Sequence, residues 1–324
     1  MNTLTRRCLV AAALATTAGL TLAQAQAWPA KQIRIVIPYP PGGPTDILGR
    51  IVAQHLSESL GQTVVVDNKP GASGMIGADL VAKAPADGYT LLVNASIHVI
   101  NPSLYKKPPY DAIRDFAPVG LIADVPLVLV AAPSLGLHSV KDVIAYAKAK
   151  PDQLNFASSG NAAAPHLAGE AFKTATGVQM QHVPYKGSGP ALTDVIGGQT
   201  QLMFDSLPSS VAHIRAGKLR AIAVTTKARI AAVDAPAVSE SGFPGYEMSN
   251  WWAFFVSAKT PPAIAAKLST DLRKVLAEPD VKRRFDEIGG IVIGSTADEL
   301  RTHLANETRK WRAVVEAAGI RASQ

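Results

Sequence analysis

The residues with the clearest capacity for chemistry stand in one short segment, PYPPGGPTD at positions 38–46. Gly42 and Gly43 can expose backbone N–H groups at φ angles that other residues avoid, and Thr45 or Asp46 can cap a helix predicted over residues 47–60. Free N–H groups at the positive end of a helix attract a carboxylate or a phosphate. The segment therefore predicts an anion-binding loop, and the alternative is a tight turn without a ligand.

A second loop of the same kind precedes a helix predicted over residues 163–176. Ser158, Ser159 and Asn161 offer hydroxyl and amide groups beside exposed backbone N–H groups, so two helix N-termini can clamp one anion between them. The alternative is that Ser159 or Asn161 only caps its helix. His166 falls near the start of this helix, where a lone histidine is more often a packed or surface residue than a ligand.

Three more groups of polar side chains follow predicted strands. Tyr185 and Lys186 lie on a glycine-rich loop from which a phenol and an ammonium can reach a carboxylate, although Lys186 can equally be a solvated charge. Asp205 ends a strand, where it either pairs with a ligand amine, a hydroxyl or a nearby donor, or caps the next helix. Ser96 and His98 follow a third strand and are expected on the same rim as the first loop.

Several kinds of catalytic and cofactor site lack support in the sequence. The seven histidines never fall at i, i+4 and the chain has one cysteine, so no metal site is predicted. The patterns G-x-S-x-G, G-x-x-x-x-G-K-[ST] and G-x-G-x-x-G do not occur, which argues against a serine hydrolase and a nucleotide cofactor. The formal charge of +7 comes from basic residues spread over helix faces, which argues against nucleic acid binding. We expect no cofactor and no catalytic residue.

Alternating strand and helix patterns must position these loops. Ile33, Ile35 and Ile37 recur with a period of two, and Val36 occupies the other face, which predicts a strand buried on both sides of a parallel sheet. Similar strand and helix units follow along the chain. The predicted fold class is α/β, with two doubly wound lobes around a central ligand cleft.

Two apolar segments predict that the chain crosses twice between these lobes. They lie at residues 119–132 and 248–256. The second contains Trp251 and Trp252, which we interpret mainly as packing at the lobe interface, with an aromatic pocket wall as the less favoured alternative. Three amphipathic helices after the second segment return to cover the first lobe. The predicted division is 28–124 plus 254–324 for lobe 1 and 125–253 for lobe 2.

The first 27 residues have the pattern of a cleaved secretory signal peptide. Arg6 and Arg7 precede an apolar run at 8–22 that is too short to span a membrane, and the small-residue cleavage signal AQAQA follows. The general export route is favoured over the twin-arginine route. Cys8 leaves with the signal, so we expect a soluble, exported mature chain that begins at Trp28 and has no disulfide.

The ordered motifs of the mature chain resemble those of the Bordetella uptake gene (Bug) family, the periplasmic solute-binding components of tripartite tricarboxylate transporters. The motifs are PYPPGGPTD, NKPGASG at 68–74, ADGYTL at 86–91, VPYKG at 183–187 and FDSLP at 204–208. The resemblance covers essentially the whole mature chain. It implies a fold like that of type II periplasmic binding proteins, which closes over a small carboxylate and does not catalyse a reaction.

The resemblance also implies a ligand carboxylate held by backbone N–H groups, hydroxyls and ordered water, with few or no arginines. Ligands across the family include tricarboxylates, dicarboxylates, acidic amino acids and aromatic acids, so membership does not identify the ligand. The implied partners are a large and a small membrane subunit driven by an ion gradient. The residues carried over as pocket candidates are Tyr39, Gly43, Thr45, Asp46, Ser96, Ser158, Asn161, Tyr185 and Asp205.

These observations predict a monomeric periplasmic receptor that delivers a small organic carboxylate to a membrane transporter. One alternative is an exported enzyme that acts on such an acid, for which His98, His166 and Asp205 are the available acid–base groups. Another is a sensor subunit that binds the same acid and reports it to a membrane signalling protein. The sequence does not distinguish the sensor from the transport component.

Overall fold

The computed structural model describes residues 28–150 and 153–318 of the 324-residue chain. The predicted signal peptide, residues 1–27, lies outside the described residues. Among the helices of the described part, none combines the length and the apolar character that crossing a membrane requires.

Strands and helices alternate through the first part of the described chain, as the sequence predicts. Strands β1, β2 and β3 are parallel, with β1 in the middle. Their carboxyl ends, and the loops that follow them, therefore meet at one edge of the sheet. The elements are β1 (Ile33–Ile37), α1 (Pro44–Leu60), β2 (Val64–Asn68), α2 (Met75–Ala82), β3 (Thr90–Ala95), α3 (Ile97–Leu104) and the long strand β4 (Phe116–Ala131).

The middle of the chain repeats this plan around a second set of strands. Strand β5 lies between β6 and β7 and is parallel to both, so a second group of strand ends and helix starts is formed. The elements are α4 (Val140–Ala149), β5 (Asn155–Ser158), α5 (Ala164–Thr176), β6 (Gln181–Pro184), α6 (Ser188–Ile196), β7 (Leu202–Ser206), α7 (Leu207–Arg215) and β8 (Arg220–Val224).

The last part of the chain returns to the first group of strands. Strand β9 lies between β3 and β4 and is antiparallel to both. The returning elements are β9 (Ser249–Ser257), α8 (Pro262–Ala277), α9 (Pro279–Glu287), β10 (Ile291–Val292) and α10 (Ala297–Ala318).

Strand β4 connects the two lobes. Its residues up to Pro126 pair with β9, and those from Leu127 pair with β7 and β8, so its partners change within one continuous strand. The chain crosses back between β8 and β9. Residues 249–253, which the sequence assigned to lobe 2, pair with strands of the first lobe. The two-lobe α/β fold is therefore confirmed, and the residue bounds of its lobes stay a prediction.

The core of the first lobe has a layer on each face of its sheet. The three isoleucines of β1 pack in one hydrophobic cluster with Leu48 of α1 and Leu272 of α8. Val36 faces the other side, in a cluster with Met75 of α2 and Leu300 of α10. The prediction that β1 is buried on both faces is confirmed, and this rigid layer holds the β1–α1 loop in place.

Two local predictions were wrong. Helix α1 begins at Pro44, three residues before the predicted start, because proline is well suited to the first turn of a helix, where its missing N–H leaves no bond unmade. The short helix α3 was not predicted at all, since Pro102 lies within it and interrupts the helical pattern. This helix carries His98 away from the rim on which the sequence placed it.

Candidate ligand-binding site

A cavity opens between the two lobes at the edge where their strands end. It contains about 610 Å³ of atom-free space, solvent at its mouth included. None of the described residues that line this inner cavity has a charged side chain. Its polar side chains are those of Tyr39, Thr45, Ser73, Ser96, Ser159, Asn161, Ser188, Ser206 and Asn250.

Five helices begin at the inner cavity: α1, α3 and, from the other lobe, α5, α6 and α7. Their N-caps, which all line the cavity, are Gly43, Ser96, Ala163, Gly187 and Ser206. At none of these five N-termini does the N-cap side chain accept a hydrogen bond from the helix N–H groups. Each helix start carries about half a positive charge, so the cavity is suited to an anion although it has no basic side chain.

Two helices that begin away from the cavity, α4 and α10, have a side-chain cap. Ser139 is the N-cap of α4, and its hydroxyl accepts a hydrogen bond from the N–H of Asp142 at 3.1 Å. At the start of α10, the N–H of Glu299 donates to the Thr296 hydroxyl at 3.2 Å. Helices α8 and α9 also begin without a side-chain cap and do not line the cavity, so what distinguishes the five helix starts is that they converge on one cavity, where their N–H groups remain for a ligand or for water.

The first loop places Gly43 and Thr45 in the lining of the cavity and leaves Gly42 and Asp46 outside that lining. Asp46 accepts hydrogen bonds from the Gly42 N–H at 3.0 Å and from Arg50 Nε at 2.9 Å. Burial raises the pKa of Asp46, but its hydrogen bonds, led by the one from Arg50, outweigh burial and hold this pKa below its usual value. The ionised Asp46 therefore fixes the loop at Gly42, whose φ of +80° favours glycine.

The prediction that Thr45 or Asp46 caps α1 was wrong, because Gly43 is the N-cap. The Thr45 hydroxyl instead accepts a hydrogen bond from the indole N–H of Trp252 at 2.7 Å. Tyr39 also lines the cavity, and its hydroxyl donates to Asn94 Oδ1 at 2.9 Å. Burial raises the pKa of Tyr39, so its phenol stays protonated.

The second loop places Ser159 and Asn161 at the cavity and Ser158 beneath them. Neither Ser159 nor Asn161 caps a helix, because α5 begins after Ala163. The Ser158 hydroxyl lies 2.7 Å from His182 Nε2 and accepts the N–H of Gly160 at 3.2 Å. Ser158 therefore shapes the loop from below, while its two neighbours face the space where a ligand would lie.

His98 and His166 do not line the inner cavity. His98 is fully buried between aromatic rings and donates from Nε2 to the carbonyl oxygen of Ala112 at 2.9 Å. His166 accepts the N–H of Ala162 at Nδ1 and stacks on His182, with ring centroids 3.7 Å apart. Burial lowers the pKa of each, to about 4 for both His98 and His166, so both rings are neutral at pH 7.

Asp205 is also absent from the cavity lining. Its buried carboxyl accepts hydrogen bonds from Ser188 at 2.6 Å, from Ser210 at 2.6 Å and from Ser209. Burial raises the pKa of Asp205, and these hydroxyl groups act in the opposite direction. Ser188 lies on α6, and the other two serines lie on α7. The hydrogen bonds of Asp205 therefore connect the starts of these two helices behind the cavity wall.

Two residues of strand β9 line the inner cavity: Asn250, which the sequence did not identify, and Trp252, for which a pocket wall was the less favoured interpretation. Asn250 accepts a hydrogen bond from the Ser96 hydroxyl at 2.6 Å, and Trp252 donates to Thr45. Trp251, between them, faces the other way and donates to Glu307 of α10. The alternation of side chains along this strand could have indicated that Asn250 and Trp252 share one face and Trp251 the other. It does not indicate which face lines the cavity.

An outer cavity continues from the inner one towards solvent. Tyr185 and Lys186 line it on one side, and the turn at residues 71–74 lines it on the other. This turn has positive φ at four successive residues, 133°, 47°, 53° and 84°, and two of them, Ala72 and Ser73, are not glycine. Each non-glycine residue in this conformation costs about 1–2 kcal/mol. The strained turn thus lies at the entrance to the cleft.

Two lobes, two chain crossings and an uncharged cavity surrounded by helix N-termini are the features of a two-lobe solute-binding protein. The chain belongs to the tripartite tricarboxylate transporter receptor family, whose model, described as "Tripartite tricarboxylate transporter family receptor", matches residues 48–320. Members of this family are periplasmic solute-binding proteins, and the resemblance to the Bug family is confirmed.

Individual relatives support this assignment over nearly the full chain. Protein BugT of Bordetella pertussis is 38% identical over 320 residues, which cover 98% of each protein. A structure of R. palustris Rpa4515 with adipate has 40% identity and a TM-score of 0.88, and covers 91% of this chain and 99% of its own. MatC from Rhodopseudomonas palustris with bound malate has 30% identity and a TM-score of 0.83, and covers 89% and 100%.

Proposed function

We propose that this protein captures a small organic carboxylate in the inner cavity and delivers it, unchanged, to a tripartite membrane transporter. The observation that carries the proposal is the set of five helix N-termini without capping side chains around a cavity whose described lining residues have no charged side chain. Such a site stabilises an anion through N–H groups and hydroxyls. The adipate and malate bound to two related structures support a carboxylate as the ligand.

Delivery to a transporter and residence in the periplasm rest on the family and on the signal-peptide pattern of residues 1–27. Expression of the full chain in a Gram-negative host tests the residence, and deletion of the gene tests the delivery. We expect the protein in the periplasmic fraction with Trp28 as its first residue. Deletion of the gene should abolish uptake of the ligand by the native organism, whereas a sensor subunit would leave uptake intact under constitutive expression of the transporter.

Ligand screening by thermal shift, followed by calorimetry, tests the binding proposal. A ligand at one hundred times its Kd that binds only the folded protein should raise the melting temperature by about 4 °C or more. The screen compares adipate, malate, succinate and citrate with adipamide, which has the shape of adipate but no charge. Binding of adipamide as tight as that of adipate, or binding of no di- or tricarboxylate, amino acid or aromatic acid, would overturn the proposal.

Recovery of the ligand tests the enzyme alternative. The three acid–base candidates, His98, His166 and Asp205, do not line the inner cavity, and none of the described residues that line it has a carboxyl, imidazole or amine side chain. We therefore expect the NMR spectrum of the bound acid to be unchanged after long incubation and release by denaturation. A new product that accumulates in proportion to protein concentration would establish an enzyme.

A further inference from the structure

The outer cavity is continuous with the inner one and differs from it in chemistry. The two share Tyr39, Ser73, Ser159 and Asn161 as lining residues, so a single molecule can occupy both. The outer cavity contains about 1210 Å³ of atom-free space, its open mouth included. This is more room than one carboxylate group requires, and a ligand anchored in the inner cavity would extend into it.

The first lobe brings a pair of hydroxyl groups to the outer cavity. Ser73 Oγ lies 3.0 Å from the phenolic oxygen of Tyr105, and both residues line this cavity. Two hydroxyls carry two hydrogens, and their mutual hydrogen bond uses only one of them. The other remains for an acceptor in the cavity. The strained turn at residues 71–74 holds Ser73 in this position, and Asn101 Nδ2 supports it by donating to the Ser73 carbonyl oxygen at 3.0 Å.

The second lobe brings a positive charge to the opposite wall. Lys186 is the one residue with a charged side chain among the described residues that line the outer cavity. None of the ion pairs within the described part of the chain involves it. Its neighbour Tyr185 donates to Asp194 Oδ2 at 2.7 Å, so that phenol is already engaged and forms a wall.

We propose that the outer cavity is a second anion subsite, formed by Ser73, Tyr105 and Lys186, and that the ligand is a linear dicarboxylic acid with one carboxylate in each cavity. The inference rests on the proposed function, because the first carboxylate occupies the inner cavity. Hydroxyls from one lobe and an ammonium from the other meet the second carboxylate, so such a ligand links the lobes at the mouth of the cleft as well as at its base.

The subsite predicts selectivity that a single anion site does not. Adipate should bind at least tenfold more tightly than hexanoate, which has the same carbon chain and one carboxylate. A series of diacids from succinate to azelate should have an affinity optimum, because short diacids do not reach the outer cavity and long ones do not fit between the two subsites. The advantage of the diacid should also shrink as salt rises, since Lys186 is exposed.

Calorimetry on the full-chain product with three variants tests the proposal. Lys186→Met should weaken adipate binding several-fold and leave hexanoate binding within twofold of wild type, and Tyr105→Phe should do the same. Lys141→Met is the matched control, because Lys141 is exposed on α4 and lines neither cavity. It should leave both affinities unchanged. If Tyr105→Phe fails to fold, Lys186→Glu replaces it and should weaken adipate more than Lys186→Met does.

The possible failures are distinguishable. Equal affinities for adipate and hexanoate, or equal losses for both acids in Lys186→Met, would overturn the second subsite and leave the proposed function intact. The same conclusion follows if the diacid series has no optimum. Absence of binding by every carboxylate in the screen would overturn the proposed function itself, and the subsite with it.

Discussion

The indole N–H of Trp252 donates to the hydroxyl of Thr45 at 2.7 Å, and this bond joins strand β9 to the first turn of α1 across 207 positions of sequence. Both residues line the inner cavity. A hydroxyl that accepts the indole N–H keeps its own hydrogen for another acceptor. Trp252 therefore orients Thr45 as a donor towards the place that a ligand carboxylate would occupy.

Removal of this donor is the first prediction. Trp252→Phe keeps an aromatic ring in the wall but loses the indole N–H, so the Thr45 hydroxyl can turn away from the cavity. We expect carboxylate affinity to fall by about tenfold, the equivalent of one hydrogen bond to a charged group. Calorimetric titration with the tightest acid of the screen measures the change.

Trp311→Phe is the matched control for this variant. The indole of Trp311 also donates to a buried oxygen, Glu307 Oε2 at 2.7 Å, but it lies on α10 and lines neither cavity. We expect this variant to lower the free energy of unfolding without changing affinity. Equal effects of the two variants on affinity would show that Trp252 acts through general stability and not through Thr45.

Charge introduced into the inner cavity is the second prediction. In Asn250→Asp, one carboxylate oxygen can still accept from the Ser96 hydroxyl and from the N–H of Trp251, as Asn250 Oδ1 does, so the fold should be retained. The added negative charge has no basic side chain beside it and repels a ligand carboxylate. At a separation of about 5 Å this should weaken binding by about 100-fold or more at pH 8.

The pH dependence of ligand affinity distinguishes Asn250→Asp from wild type. Protonation removes the added charge, so affinity should recover as the pH falls, whereas wild-type affinity should not rise over the same range. Asn155→Asp, on β5 and outside both cavities, should bind like wild type. Wild-type affinity in Asn250→Asp at pH 8 would mean that the carboxylate binds away from the inner cavity.

Much of this fold could be predicted from local sequence patterns. The period of two in β1 and the apolar faces of α8 and α10 were sufficient, because burial of those faces dominates the energy of such elements. The crossing at Pro126 was also visible as an apolar run that continues past a proline. The loops at 38–46 and 158–161 were visible as strand ends followed by glycine and a helix start, and their binding of an anion stays a prediction.

Long-range partners could not be predicted in this way. The Trp252–Thr45 bond joins residues whose spacing in sequence carries no periodic signal. The sequence likewise suggested His98 and Asp205 as residues of the cleft, but His98 lies among aromatic rings and Asp205 among three serines. The polarity of a residue does not show whether its side chain is buried and hydrogen-bonded within the protein or is available to bind a ligand. That difference depends on which elements pack over the side chain.

The placement of Asp205 leads to the third prediction, which concerns ligand amines. The carboxyl of Asp205 is satisfied by serine hydroxyls behind the cavity wall, and no lining side chain of the inner cavity can balance an ammonium group. Positive helix ends would repel it. We expect aspartate to bind at least about tenfold more weakly than succinate, and glutamate more weakly than glutarate, because a desolvated ammonium without a partner is costly.

Asp205→Asn separates the structural role of this residue from ligand recognition. Its amide would turn one acceptor into a donor facing serine hydroxyls, so the free energy of unfolding should fall by about 2–3 kcal/mol in urea titrations. The succinate to aspartate preference should remain in the folded fraction. A reversal of that preference in the variant would identify Asp205 as an amine-binding residue.

The fourth prediction concerns stability in acid and depends on His98. Burial lowers the pKa of His98 from 6.5 to about 4, so the unfolded chain binds a proton at higher pH than the folded one. Stability from this residue is therefore complete above pH 6.5 and is lost as the pH falls towards 4, by about 3 kcal/mol in total.

In His98→Gln, whose amide can still donate to Ala112, unfolding in urea should depend less steeply on pH in this window. His138→Gln, at an exposed position, should keep the wild-type slope. If the free energy of unfolding has the same pH slope in His98→Gln and wild type, the prediction is wrong, because His98 would then gain its proton without unfolding of the chain. The aromatic rings packed around His98 argue against that outcome.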